Sequence, residues 1–175
     1  MEARKREDIA EEYRWQLEDI YAEEALWEED YRAVTTLLAS IEALQGTLGN
    51  SDSILLSALR LTDELERKTE KLYVYARMRR DENNASGHYQ ALFDRAEGLS
   101  VKVSSATSFM VPEILTIPEE VLWQYLEKNR DLALYRHYFA EILRQKAHIL
   151  SDKEERLLAM SADLSMAPGN IFTML

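Results

Sequence analysis

"HYQALFDRAEGLSVKVSSATSFM", residues 88–110, settles the fold class. Tyr89, Leu92, Ala96, Leu99, Val103, Ala106 and Met110 recur at alternating steps of three and four. That spacing stacks apolar side chains along one side of an α-helix, and sustained over this length it makes a heptad seam. A seam needs a partner. The turn-forming stretch "DENNASG" (81–87) stands directly before it, so the partner is the preceding helix, packed antiparallel. Ser104, Ser105, Ala106 and Ser108 are small enough to let a neighbouring helix approach closely.

The helical pattern extends in both directions. Upstream, Trp27, Tyr31, Val34, Leu38 and Ile41 predict a helix over 23–45, with acidic residues in its first turns, where the helix dipole favours them, and Gly46 or Gly49 as its stop. "NSDS" (50–53) offers caps for a second helix over 53–80. Its buried face is Ile54, Ala58, Leu61, Leu65, Leu72 and Tyr75; Lys68 and Thr69 interrupt that face, so part of this helix is expected to project into solvent. Downstream, Pro112 is expected to break the chain. Thr116 and Glu119 then form a capping box for a helix over 118–128 carrying Val121, Leu122, Tyr125 and Leu126. Asp131 is the expected cap of a further helix to about 147, with Leu132, Tyr135, Phe139 and Ile142 inside. Ser151 and Glu154 form the capping box of a last one, to about 164.

The expectation is an all-α fold: an antiparallel bundle of helical hairpins, about six to seven helices. Residues 1–22 read as an apolar strap carrying Trp15, Leu17, Ile20 and Tyr21, 23–110 as long-helix hairpins and 116–175 as shorter helices. The apolar ending Ile171, Phe172, Met174, Leu175 reads as the cut edge of a piece from something larger.

Composition narrows the function. Gly (5) and Pro (3) are scarce, which suits long helices, and with no cysteine there is neither a disulfide framework nor a thiolate metal site. A net charge of −11 repels phosphate, so neither nucleic acid nor an anionic membrane is an expected partner. Residues 1–30 carry twelve Asp/Glu against four Arg/Lys. The N-terminus is charged with no apolar segment behind it, and no apolar run approaches the ~18 residues of a membrane helix. With the missing cysteines, this points to the cytoplasm.

No catalytic or metal-binding residue emerges. His88, His137 and His148 are too far apart for the i, i+4 pair of an HExxH zinc helix, and none has a glutamate three residues before it, as a di-iron bundle requires. His137 and Glu141 can share a face, but no third ligand stands with them, and a surface pair is the ordinary reading. His148 sits where a helix ends and suits the negative end of its dipole. Phosphate-binding glycine loops and a nucleophile elbow are absent. Arg77, Arg79 and Arg80 form a basic cluster that can hold a peptide carboxylate or serve local salt bridges. Tyr73, Tyr75, Tyr135, Tyr138 and Phe139 can line a groove, although most stand at core spacing.

Three stretches together resemble the oligoendopeptidase F family. "YRWQLEDIYAEEALWEEDY" (13–31) resembles its opening, through Trp15, Leu17 and Trp27. "LYVYARMRRDENNASGHYQALFDRAEGLSVKVSSATSFMVPEIL" (72–115) resembles the helical hairpin that follows, through Tyr75, Asp81, Ser108, Phe109, Pro112, Glu113 and Leu115. "YRHYFAEILRQKAHILSDKEERLLA" (135–159) resembles a third block, through Tyr135, Arg144, Lys146, His148, Leu150, Ser151, Glu154, Glu155, Leu157 and Ala159. None of these residues is catalytic; they mark family structure.

The resemblance implies a zinc peptidase of the thimet-oligopeptidase type, several hundred residues long and cytoplasmic, whose two lobes enclose a channel for unfolded peptides. Its HExxH helix and further glutamate ligand lie in a C-terminal half that this sequence does not contain. Zinc belongs to that parent, as do the general base and the peptide substrate. This chain is expected to be an N-terminal lobe that forms part of the channel wall, binds no metal itself, is inactive alone and tends to self-associate without its catalytic partner domain. Which residues touch substrate is left open. The rival reading is a free-standing acidic helical adaptor using its heptad seam as a coiled coil, and a more distant one is an acidic mimic of nucleic acid. An HExxH motif downstream of Leu175 in the reading frame decides for the peptidase.

Overall fold

A computed structural model of the protein describes Arg6 and residues 9–146. The chain divides into two compact units, 1–134 and 135–175. All regular structure among the described residues is helical: α1 Glu24–Glu42, α2 Asp52–Glu82, α3 Gly87–Thr107, α4 Met110–Thr116, α5 Glu119–Lys128 and α6 Arg136–Gln145, with short 3-10 turns between them. The all-α expectation holds.

In the first unit, α1, α2 and α3 pack against one another. The α3 seam is the core: Leu92, Ala96, Leu99, Val103, Ala106 and Met110 are all buried. Trp27, Val34 and Ile41 of α1 are buried as well, as the three–four spacing requires. Each helix of the α2–α3 hairpin starts on a serine: Ser51 Oγ accepts from the Ile54 amide at 3.2 Å and Ser86 Oγ from the Tyr89 amide at 3.3 Å. Gly46, at φ +82°, turns the chain after α1 in a conformation that other residues rarely adopt. Before α1, Leu17 and Tyr21 are buried, whereas Trp15 stays 49% exposed.

Four expectations give way. Lys68 and Thr69 do not project into solvent. Lys68 is ion-paired with Asp30 of α1, and Thr69 is 6% exposed. The helical course does break near Pro112, but at Ser108–Phe109, and the proline itself is helical. It occupies the first turn of α4, where its missing N–H costs no helical bond, and the Glu113 amide bonds the Phe109 carbonyl at 3.0 Å. The Thr116–Glu119 capping box does not form: Thr116 ends α4, its hydroxyl donating to the Glu113 carbonyl at 2.7 Å, and Pro118 caps α5. Asp131 is not the cap either. Asn129 Oδ1 accepts from the amides of Asp131 (3.1 Å) and Leu132 (3.3 Å), a 3-10 turn follows, and Asp131 pairs instead with Arg60 at 2.6 Å.

In the second unit, α6 buries Phe139 and Ile142, three residues apart, with the Tyr138 ring tilted against Phe139 at 5.7 Å. The expected helix over 151–164, with His148, Ser151 and Glu154, lies outside the described residues.

The junction of the strap, α1 and α2 is polar. The Tyr21 hydroxyl donates to Asp30 Oδ2 at 2.8 Å, Lys68 pairs with the other oxygen, and the Tyr21 ring stands edge-on to Tyr75 at 5.3 Å. Burial alone would raise the Asp30 carboxyl. The donors Lys68 and Tyr21 and the charges of Lys68 and Lys71 outweigh it and hold Asp30 below the usual carboxylate range. Asp30 therefore contributes stability that is complete above its unfolded-state value near ~4 and lost as pH falls through the lower folded-state value. Melting temperature followed below about pH 4 should fall more shallowly in Asp30→Asn than in the unaltered chain; equal slopes would place the acid sensitivity elsewhere.

Candidate functional site

The histidines do not converge. His88 is exposed and pairs with Glu24 at 2.9 Å. His137 is exposed on α6, and the carboxylate four residues on, Glu141, is engaged by Arg144 at 2.5 Å. That hydrogen bond holds Glu141 below its usual range. Among the described residues no group of three or more His, Cys, Asp or Glu stands close enough to hold a metal ion. Of the basic cluster, Arg77 pairs with Asp81 at 3.8 Å and Arg80 with Asp81 at 3.1 Å, while Arg79 bridges Glu18 (3.2 Å) and Glu82 (3.5 Å). Arg6 joins the same network through Glu18 and Glu82. The cluster is used for local salt bridging, and it ties the N-terminal segment to the end of α2.

The family-marking residues do gather. Ser108, Phe109, Pro112 and Glu113 surround the turn after α1 and share an apolar recess of about 510 Å³ with Gln45 and Gly46. Its anchor is Glu113, whose two carboxylate oxygens accept from the amides of Gly46 and Leu48, each at 2.7 Å. A carboxylate on two backbone donors makes charge-assisted bonds, stronger than neutral ones. The Tyr125 hydroxyl donates to the Gly49 carbonyl at 2.9 Å on the far side of the same turn. Asp52, at the start of α2, accepts from Asn129 (3.0 Å) and Lys128 (3.3 Å), which keeps its carboxyl low. Glu113 was legible as a family mark but not as the clasp of this turn. The available signal was a lone acid inside the apolar run "SFMVPEIL".

The other marks divide. Leu17 and Tyr75 are core, and Tyr75 Oη accepts from Arg79 Nε at 3.2 Å. Phe109 is half-buried, Pro112 is exposed, Arg144 is exposed on α6, and Trp15 stands at the surface. A second recess, about 460 Å³, runs between α2 and α3, with Thr69, Glu66 and Glu70 on one wall and Ser100, Ser104 and Thr107 on the other. The described residues thus offer surfaces and clasps.

Known proteins resemble this chain along most of its length. A family model described as oligopeptidase F matches residues 113–175. Oligopeptidase PepF of Bacillus subtilis (strain 168) is 36% identical over 170 residues, 97% of this chain but 25% of the relative. The group B oligopeptidase PepB of Streptococcus agalactiae is 34% identical over 97% of this chain and 28% of its own length. The crystal structure of oligoendopeptidase-F from Enterococcus faecium superposes with a TM-score of 0.69 at 35% identity, over 86% of this chain and 30% of that one. The chain is thus similar over nearly all of its length to one part of oligoendopeptidase F proteins. The similarity is to their N-terminal part, and the chain spans about a quarter of the length of these curated relatives. A putative peptidase from Chlamydophila abortus, with a TM-score of 0.74 and 26% identity, carries the same helical arrangement over 98% of this chain and 29% of its own.

Proposed function

We propose that this chain is the N-terminal lobe of a zinc-dependent oligoendopeptidase that hydrolyses short unfolded peptides, and that it forms part of the substrate-channel wall. The observation that carries this is the coverage: similarity to oligopeptidases runs along 97% of the chain and takes up about a quarter of each relative. The described residues supply no ligand set for zinc, so no step of hydrolysis is assigned to them. Zinc and the general base would be held by polypeptide beyond this chain, where the reacting carbonyl of the substrate would bind. The lobe limits access and excludes water from that centre, and its closure positions the peptide. No described helix is long and apolar enough to cross a membrane; we place the parent enzyme in the cytoplasm.

The test is a quenched-peptide assay. The 175-residue chain with added zinc is expected to give no turnover, while the parent polypeptide cleaves the same peptides in a chelator-sensitive way. Metal-dependent cleavage by the pure chain would overturn the assignment. Without its partner domain the chain exposes Tyr13, Val101 and Leu134, and it is expected to self-associate as concentration rises. Sedimentation that stays monomeric throughout the concentration range counts against that.

A further inference from the structure

The α2–α3 recess and two hydroxyls are left over once the core and the clasps are accounted for. The hydroxyls of Thr62 and Thr69 are buried and have no hydrogen-bond partner among the described residues. Thr69 is 6% exposed and lines the α2–α3 groove. The opposite wall is small: Ser100, Ser104 and Thr107 stand four and three residues apart on α3. A groove between two antiparallel helices with a low wall accepts a third helix at the 8–10 Å separation of ridges-into-grooves packing.

The lip of the groove is acidic. Glu66 and Glu70 stand one turn apart on α2, and neither forms an ion pair among the described residues. Loss of water around Glu66, together with the like charge of Asp63, raises its carboxyl above the usual range, as expected of an acid that lacks a cation. Other carboxylates of this bundle are matched: Glu28 by Arg95, Asp30 by Lys68 and Asp131 by Arg60. The curated relatives continue for most of their length beyond the part that this chain matches.

We propose that the α2–α3 groove is the seat of a basic helix from the remainder of the parent polypeptide, with lysine or arginine meeting Glu66 and Glu70. This rests on the reading that the chain is one region of a longer enzyme. It adds which face of the lobe is covered and by what chemistry.

Because the natural sequence has no cysteine, Ser104→Cys places one thiol on the groove wall of this chain. Maleimide labelling of that thiol, read by peptide-resolved mass spectrometry, is compared in the isolated chain at low concentration and in the intact parent. Labelling is expected to be slower in the parent by on the order of tenfold or more. Glu66→Lys with Glu70→Lys should bring the rate most of the way back, and the two glutamines part of the way; circular dichroism of the same substitutions in the isolated chain checks that the helices persist. Equal labelling in chain and parent overturns the proposal. Slow labelling in the isolated chain overturns it too, in favour of a second copy if it depends on concentration and of this chain's own residues if it does not. Protection that survives both the lysine and glutamine substitutions removes the basic partner. None of these readings needs peptide cleavage, so a parent without peptidase activity fails the functional proposal and leaves this one to be decided by labelling.

Discussion

Replacing Leu99 with aspartate should remove most of the stability of the first unit, by roughly 4 kcal/mol or more. Leu99 is 1% exposed at the middle of the α3 seam, with Ala96 and Val103 buried on either side of it along the helix. The substitution loses the apolar burial of a leucine, for which truncation to alanine alone costs about 2–5 kcal/mol. It then places a carboxylate where no cation is available, and a buried acid without a partner either stays neutral or opens the fold around itself. The expected signature is therefore dependent on pH. The folded-state value of the new acid is raised, so the folded form is favoured at low pH, and the stability so gained is lost as pH rises through that raised value. Melting should be least impaired near pH 4–5 and worst at neutral pH. Val101→Asp, two residues along and 66% exposed, is the control and should stay within about 0.5 kcal/mol of the unaltered chain. Similar losses at both positions would mean that the α3 seam is not the core.

That contrast between neighbours is available from the sequence, because seam position and burial are both set by spacing along one helix. The same holds for Trp27, Val34 and Ile41 of α1, and for Ala58, Leu65, Leu72 and Tyr75 of α2. What could not be read is set by residues far apart in the chain. Lys68 looks like an interruption of an apolar face until Asp30, on another helix, is seen to neutralise it. Asn129 and Asp131 are both good caps; the free amides of the following turn lie within reach of Asn129, and Arg60 engages Asp131. Pro112 is compatible with a break or with a helix's first turn, and the local sequence permits either.

The candidate surfaces follow the same division. The marks Ser108, Phe109, Pro112 and Glu113 were visible as a family pattern, yet a pattern does not say what a residue holds. Only the fold brings Glu113 to the amides of Gly46 and Leu48 across the bundle. Thr69 was the harder case. Its hydroxyl looked like part of a solvent face, and it is in fact a buried group without a partner among the described residues.

Truncating Trp27 to alanine is the second large effect, with an expected loss of about 3–5 kcal/mol. Trp27 is fully buried, and its indole Nε1 donates to the Leu72 carbonyl at 3.0 Å, which joins α1 to the middle of α2. Its ring stacks on Tyr31 at 5.2 Å, and Arg95 of α3 lies 4.9 Å from it while holding Glu28 with two bonds of 2.5 and 2.8 Å. One side chain thus touches all three long helices. Trp27→Phe separates the contributions: it keeps an aromatic ring and loses the indole donor, so it should cost about 1 kcal/mol for the bond plus part of the lost volume. Fluorescence supplies an independent reading. Of the three tryptophans, Trp15 is largely exposed and Trp123 half-buried, so Trp27 carries the buried emission. In Trp27→Phe the folded-state spectrum should shift toward that of solvated indole while helicity is retained. In Trp27→Ala, α1 loses its main hold on the α2–α3 hairpin, and helicity should fall along with stability. If alanine costs no more than phenylalanine, the docking of α1 is carried by Val34, Ile41 and the Asp30–Lys68 pair, and Trp27 fills space that those contacts already define.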